Sequence, residues 1–139
     1  MREVLEERIR LWLEDPDSDV VYAEEVERRW AVRMRQETRE ATTVWFDVGE
    51  KSLWFEAYVM PAPADPAEVH RQALARNATS WRVFFALDDE GAIVLRGRVL
   101  AARVDLDELD RVLGEIYEAV EVSFRPMVRA GFPGRENSP

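Results

Sequence analysis

The sequence predicts an α+β domain in which three helices accompany a single antiparallel β-sheet of about five strands. Residues 2–14 and 105–123 carry apolar residues at the 3.6-residue spacing of amphipathic helices. Two pairs of β-branched and aromatic segments are each joined by a short turn sequence, which is typical of antiparallel hairpins. Because helices alternate with hairpins, the expected element order is α-β-β-β-α-β-β-α.

The first helix is predicted over residues 2–14 and ends at Asp15-Pro16, because a residue before proline avoids the α region. Residues 20–29 fit a short helical turn and a loop equally well. Apolar residues then alternate with polar ones from Trp30 to Met34, which predicts the first strand. The apolar face of the first predicted helix consists of Val4, Leu5, Ile9, Trp12 and Leu13.

The central hairpin is predicted over residues 42–48 and 52–60, with Gly49-Glu50-Lys51 as its turn. Prolines after Met60 end the pairing, since proline donates no hydrogen bond to a ladder. A middle helix should then run from Pro66 to Asn77. Its expected start is a capping box, with Asp65 at the N-cap and Glu68 three residues later.

A second hairpin is predicted over residues 81–87 and 92–99, around a turn at 88–91. The last helix should begin at the capping sequence after Asp105 and run to about residue 123 or beyond, where Pro126 either kinks it or begins a final turn. The length of 139 residues fits one hydrophobic core. We therefore predict a single domain over residues 1–132 and a flexible tail over 133–139.

The chain is acidic, with 28 Asp and Glu against 19 Lys and Arg and a formal net charge of −9. Nucleic-acid binding depends on cations that neutralise phosphates, so no nucleic-acid partner is expected. Charged residues interrupt any apolar run near Met1, and no stretch is long enough to cross a membrane. These features predict a cytoplasmic protein without a membrane partner.

The residue inventory also argues against an enzyme. The chain contains no cysteine, which excludes disulfides, thiol nucleophiles and Cys-ligated zinc, and His70 is its one histidine. Nucleophile-elbow, phosphate-loop and dinucleotide-binding glycine patterns are missing from the sequence. The acids at 105, 107 and 110 are interpreted as helix-capping residues rather than metal ligands. We predict no catalytic residue, no metal and no cofactor.

Both faces of the central hairpin carry large apolar groups, whereas a one-sided antiparallel sheet should be polar on its outer face. Three covers for the second face remain open at this point: the middle helix or the N-terminal segment of the same chain, a second copy in a homodimer, or a heterologous protein or peptide. The predicted binding or dimer surface consists of Trp45, Trp54, Tyr58 and Met60.

Polar residues supply secondary candidates. Arg76 and Asn77 lie at the end of the predicted middle helix. The alternative function is a non-catalytic sensor that binds an anionic metabolite between the sheet and the middle helix. In that case Arg33, Arg35 or Arg96 would pair with the anion in a partly desolvated cleft.

Two stretches, Trp45-Phe-Asp-Val-Gly49 and Glu56-Ala-Tyr-Val-Met-Pro-Ala-Pro63, resemble the signature hairpin of the YbjN domain family. Further matching residues follow in the expected order, and the resemblance covers roughly residues 28–132. These residues are Arg76-Asn77, Phe84 to Gly91, Gly97, Leu113 to Tyr117, and Phe124-Arg125-Pro126. The resemblance implies a bacterial protein with a fold like that of type III secretion chaperones, which are small, acidic, commonly dimeric and bind extended protein segments. It also implies a role as a sensory-transduction regulator, with no catalytic residues to carry over. A homodimer and a protein or peptide partner are the expected assemblies.

Overall fold

The computed structural model describes residues 1–134 and contains six strands and three α-helices within that range. The α+β class and the single antiparallel sheet are confirmed, and the strand order in the sheet is β1-β2-β3-β4-β6-β5. Residues 135–139 of the predicted tail lie outside the described part of the chain. The elements are α1 (Arg2–Glu14), β1 (Val20–Val26), β2 (Arg29–Arg35), β3 (Ala41–Val48), β4 (Ser52–Met60), α2 (Pro66–Asn77), β5 (Phe84–Leu87), β6 (Ile93–Leu100), a short 3-10 turn (Ala101–Arg103) and α3 (Leu106–Gly131).

The sixth strand is β1, for which a helical turn or a loop was expected, and that expectation is wrong. β1 pairs antiparallel with β2 through a tight connection at Glu27 and Arg28, whose φ angles are +50° and +71°. Such a two-residue hairpin normally carries Asn or Gly, because those residues adopt positive φ most easily. Glu-Arg at this place gives no turn signal, so the sequence pattern hides the hairpin.

All three helices pack on one face of the sheet. α1 and α2 both contact α3, while α1 also reaches β1, α2 reaches β5 and α3 reaches β4. The core between these layers is apolar, and its largest fully buried side chains include Phe46, Phe55, Leu5, Met34, Leu53, Ile93, Leu95, Leu109, Ile116 and Met127. Within residues 1–134 the opposite face therefore has no helix over it, which removes a helix of the described chain as its cover.

The helix starts differ in how they are capped. Asp105 accepts a hydrogen bond from the Glu108 amide at 2.7 Å, as the capping pattern predicts. Asp65 occupies the N-cap of α2, but its side chain makes no capping bond, and Glu68 pairs with Arg71 instead. The predicted capping box of α2 is therefore wrong, although the helix has the predicted bounds.

The strand predicted from residue 81 begins only at Phe84. The cause is Glu115 on α3, whose Oε1 accepts hydrogen bonds from the amides of Trp81, Arg82 and Val83 at 3.0, 3.1 and 3.3 Å. These amides are consequently unavailable to a β-ladder. The segment 81–83 is instead fastened to the helix layer, and it presents the Trp81 side chain outward.

Candidate functional site

The candidate site is the face of the sheet opposite the helices, called here the open face. Its residues follow from strand register, because side chains alternate between the two faces of each strand. Two neighbouring rows across the sheet carry aromatic and charged groups. One row contains Trp45, Glu56, Arg96 and Phe84, and the next contains Arg29, Asp47, Trp54 and Arg98.

The open face carries exposed aromatic side chains, and arginines contact two of its tryptophans. Trp54 is 47% exposed and Tyr58 is 51% exposed, although both belong to β4, an interior strand of the sheet. The Arg98 guanidinium lies 5.1 Å from the ring centroid of Trp54, and that of Arg29 lies 4.6 Å from the ring centroid of Trp45. Such cation–π contacts fix ring orientation while leaving the other ring face available.

Met60 does not belong to this surface, and its place among the predicted site residues is wrong. The register of β4 against β6 shifts between Tyr58 and Met60, so strict alternation fails there. Met60 is 1% exposed and lies in the core. Its Cε is so close to α3 that a Cβ placed on Gly131 would be 3.0 Å away.

Arg76 and Asn77 also lie away from the open face. Asn77 is a structural residue: its Nδ2 donates to the Phe85 carbonyl at 3.0 Å, and the Phe85 amide donates to its Oδ1 at 2.7 Å. The Asn77 side chain thereby pairs with the backbone of β5 at the outer edge of the sheet. The Arg76 carbonyl accepts hydrogen bonds from Thr79 and Ser80, and its side chain lines clefts on the helical side.

Trp54 stands between two depressions, of which the larger extends from the open face to the segment 81–82 and to Glu108 of α3. The smaller one, of about 350 Å³, lies between Trp45 and Trp54. The larger, of about 810 Å³, lies between Trp54 and Trp81 and is called here the Trp54–Trp81 groove. Its lining side chains are mainly aromatic, aliphatic or cationic, and they comprise Trp54, Trp81, Arg82, Phe84, Arg96, Arg98, Val99, Leu100, Arg103 and Glu108.

The four arginines of the groove differ in whether a carboxylate pairs with them. Arg82 binds Glu108 through its Nε at 2.6 Å, a contact that raises the pKa of the arginine, and Arg96 binds Glu56 at 2.7 Å. Arg98 and Arg103 are exposed and have no carboxylate partner among residues 1–134. The groove therefore has cationic positions beside an aromatic floor.

Sequence reasoning missed part of this groove. Trp81, Arg98 and Arg103 are not among the predicted site residues, although Trp81 is 86% exposed. The available signal is the aromatic character of residues 81–87, but it does not show that Glu115 holds Trp81 beside Trp54. A contact between segments so far apart in the chain leaves no local pattern.

The arginines expected for an anion sensor lie elsewhere than predicted. Arg33 pairs with Glu40 at 3.5 Å and Arg35 lies 3.9 Å from Asp19, while Arg96 is held by Glu56. All three project from the open face, whereas α2 packs on the other side. The predicted cleft between the sheet and the middle helix is therefore wrong for these residues.

The described residues carry neither a membrane span nor a metal cluster. None of the helices in residues 1–134 combines the length and the apolar character needed to cross a bilayer. The same part of the chain contains no group of three or more His, Asp or Glu side chains arranged to hold a metal ion.

The chain is similar to proteins of mycobacteria. It is 41% identical over 105 residues to the ML2442 protein of Mycobacterium leprae, which is 75% of this chain and 57% of that protein. It is also 41% identical over 86 residues to the Rv0487 protein of Mycobacterium tuberculosis, or 61% of this chain and 47% of that protein. The chain thus spans about half the length of the curated relatives it matches.

Solved structures share the fold at low sequence identity. The ExsC–ExsE complex aligns with a TM-score of 0.59 and 19% identity, covering 91% of both chains. The HopA1–SchA chaperone–effector complex aligns at 0.60 and 13%, covering 88% of this chain and 91% of that one. YbjN from E. coli aligns at 0.54 and 15%, covering 85% and 87%. The architecture is therefore that of type III secretion chaperones and of YbjN.

The family match covers most of the domain. A model of the family described as "YbjN: Putative bacterial sensory transduction regulator" matches residues 6–128, which include every strand and most of the helical layer described above. On this match, the chain belongs to the YbjN family.

Proposed function

We propose that the chain is a non-catalytic binding module that holds a protein partner on the open face of its sheet. The observation that carries the proposal is the exposure of Trp54 and Tyr58 in the middle of that face. Tryptophan and tyrosine give large contact areas at little entropic cost, and they are enriched where partners bind.

The similar structures support a partner of this kind. The HopA1–SchA and ExsC–ExsE structures are complexes of two proteins, and that of SycH from Yersinia pestis contains a fragment of YscM2. This chain is similar to those proteins in fold alone. That this chain also binds a partner protein, and does so in the cytoplasm, is therefore our proposal.

The test compares Trp54→Ala with Leu74→Ala. Leu74 is 70% exposed on α2, on the helical side, so it provides a matched loss of exposed apolar surface. Tagged wild-type protein and both variants are used to capture proteins from a host lysate. A captured polypeptide is then purified and titrated against the three proteins by calorimetry.

We expect Trp54→Ala to weaken that purified interaction by roughly thirtyfold, the effect of a central aromatic residue, while Leu74→Ala leaves it unchanged. Thermal melts of both variants should match wild type, because both side chains are exposed. Equal binding by Trp54→Ala and wild type would refute the open face as the binding surface.

The homodimer expected from the family resemblance stays a prediction. Light scattering should give twice the chain mass of 16.2 kDa for wild type. If the open face is the dimer seam, Trp54→Ala should give the monomer mass and Leu74→Ala the dimer mass. A dimer retained in both variants would place the seam on another surface.

A further inference from the structure

We infer that the Trp54–Trp81 groove binds an acidic polypeptide segment that also carries an apolar residue. This inference rests on the proposed function, since it specifies the chemistry of the partner. Arg98 and Arg103 line the groove without a carboxylate partner in residues 1–134, and both guanidinium groups are exposed. A carboxylate supplied by a partner would complete these pairs with charge-assisted hydrogen bonds.

The groove also has an apolar wall. Trp54, Trp81, Phe84 and Leu100 are all exposed there, and together they form a surface that a branched or aromatic side chain would cover. A free carboxylate ion would leave this surface in water. A peptide that alternates acidic and apolar residues would satisfy both the arginines and the aromatic rings.

The rest of the molecule directs an acidic segment to this groove. The first sixteen residues of α3, positions 106–121, carry six acids and one arginine. This helix therefore repels negative charge, and it packs on the face of the sheet opposite the open face. Among the strand arginines of the open face, Arg33, Arg35 and Arg96 are paired with Glu40, Asp19 and Glu56, whereas Arg98 has no carboxylate partner in residues 1–134. A carboxylate of an acidic partner is therefore attracted to Arg98 and Arg103 at the groove.

Two other occupants fit less well. A second copy packed symmetrically over the groove would bring Arg98 and Arg103 near their own equivalents, and like charges in an interface are unfavourable. A nucleic acid would extend past the two unpaired arginines of the groove onto a chain whose formal net charge is −9. The uniform negative charge of its backbone would be repelled there.

The test measures fluorescence anisotropy of a labelled short peptide in which a Leu-Phe pair is flanked by Asp and Glu. The comparison probes are the same peptide with Asn and Gln in place of the acids, and a labelled oligothymidylate. The test variant is Arg98→Gln with Arg103→Gln. The control is Arg125→Gln with Arg129→Gln, which changes net charge equally at exposed positions of α3.

We expect wild type to prefer the acidic peptide over the amide peptide and the oligonucleotide, with affinity that falls as salt rises. The groove variant should bind the acidic peptide roughly fivefold to tenfold more weakly, as expected for two solvent-exposed ion pairs, and the control variant should bind like wild type. Circular dichroism checks that both variants remain folded.

Three binding results would overturn the inference. They are equal binding of the acidic and amide peptides, tighter binding of the oligonucleotide, or equal weakening in the control variant. A wild-type dimer that dissociates in the groove variant would place a second copy in the groove and would also overturn it. In each case a partner captured by wild type and lost by Trp54→Ala would leave the proposed function standing. Retention of that partner by Trp54→Ala would instead refute the proposed function.

Discussion

At the scale of single residues, Gly97 shows how the packing beneath the open face depends on a missing side chain. This glycine lies within β6 and pairs with Phe55. A Cβ at this position would collide with the Arg82 carbonyl oxygen and the Phe55 ring. The absence of a side chain allows the 82–83 segment to cross β6 and so helps to position Trp81.

Gly97→Ala should therefore lower the free energy of unfolding by about 1–3 kcal/mol through overpacking. Gly114→Ala is the matched control, because a methyl group at this position of α3 would meet open space rather than another described part of the chain. Alanine there should raise stability by about 0.5–1 kcal/mol through helix propensity. Urea denaturation measures both. A shift of the same sign in the two variants would contradict the packing argument.

Glu121 is a second residue with a specific structural role. Its Oε2 accepts hydrogen bonds from the Gln36 side chain at 2.6 Å and from the amides of Glu37 and Thr38 at 2.9 and 3.2 Å. Burial acts to raise the pKa of Glu121, but these hydrogen bonds outweigh it and hold the pKa below its ordinary value. The carboxylate thereby fastens the β2–β3 turn to α3.

Because this pKa is lower in the folded state, the ionised carboxylate contributes stability at neutral pH. That contribution is lost as the pH falls below about 4.5 and through the folded-state pKa. Glu121→Gln should cost about 1 kcal/mol at pH 7, and the difference from wild type should shrink in acid. Urea denaturation at several pH values measures it. Glu118→Gln, an exposed change on the same helix, serves as the control. A difference that grows in acid would contradict this role.

The aromatic candidates show what residue patterns can and cannot place. Strand alternation predicts Trp45, Trp54 and Tyr58 on one face, and the structure places them there. The same rule fails for Met60, because the register shift after Tyr58 turns the chain inward. A bulge depends on pairing with a strand more than thirty residues away, so a local period of two does not reveal it.

At the scale of elements, a side chain from α2 covers one edge of the sheet. β5 is an edge strand, and Asn77 at the end of α2 binds both the amide and the carbonyl of Phe85. Unpaired strand edges promote association with other chains, so this side-chain clip protects the edge.

Asn77→Ala should leave both Phe85 backbone groups without their partner and lower stability by about 1–2 kcal/mol. The Phe85 amide should exchange faster with solvent, as measured by NMR hydrogen exchange, and self-association should increase at high concentration. Thr79→Ala, which removes a hydroxyl bonded within the same helix end, is the control. Unchanged protection of Phe85 in Asn77→Ala would show that the clip is dispensable.

Hairpins whose turns contain glycine were predictable from the sequence, whereas elements defined by distant contacts were not. β3 and β4 meet near Gly49, and β5 and β6 are joined around Gly91 at φ +84°, so the sequence signals both turns. The β1–β2 turn uses Glu27 and Arg28, which carry no such signal. The late start of β5 depends on Glu115, which lies on another element.

At the scale of the whole molecule, the fold divides the charges of the chain between the helical layer and the sheet. Residues 1–28 and 105–121 each carry a net charge of −6, so the remainder of the chain carries +3, but the sequence does not show where in the fold this remainder lies. The fold separates them, because all three helices pack on one side. The charge pattern of the groove is therefore a product of topology.

Hydrogen bonds within the helical layer connect α1 with α3, the first and last helices of the domain. Asp110 on α3 accepts hydrogen bonds from Trp12 Nε1 at 2.8 Å and from Arg8 at 3.0 Å, and both donors belong to α1. Leu5 and Ile9 of α1 are buried in the same core as α3. We therefore propose that residues 1–132 unfold as one cooperative unit.

Asp110→Ala should lower the free energy of unfolding by about 1–3 kcal/mol, because the nearly buried Trp12 indole loses its acceptor. The urea transition followed by far-UV circular dichroism and that followed by tryptophan fluorescence should move together. Glu118→Ala on the same helix should move neither by more than about 0.5 kcal/mol. Two separated transitions in Asp110→Ala would mean that α1 unfolds independently. The acidic helical layer would then be only partly tied to the sheet whose open face we propose as the binding surface.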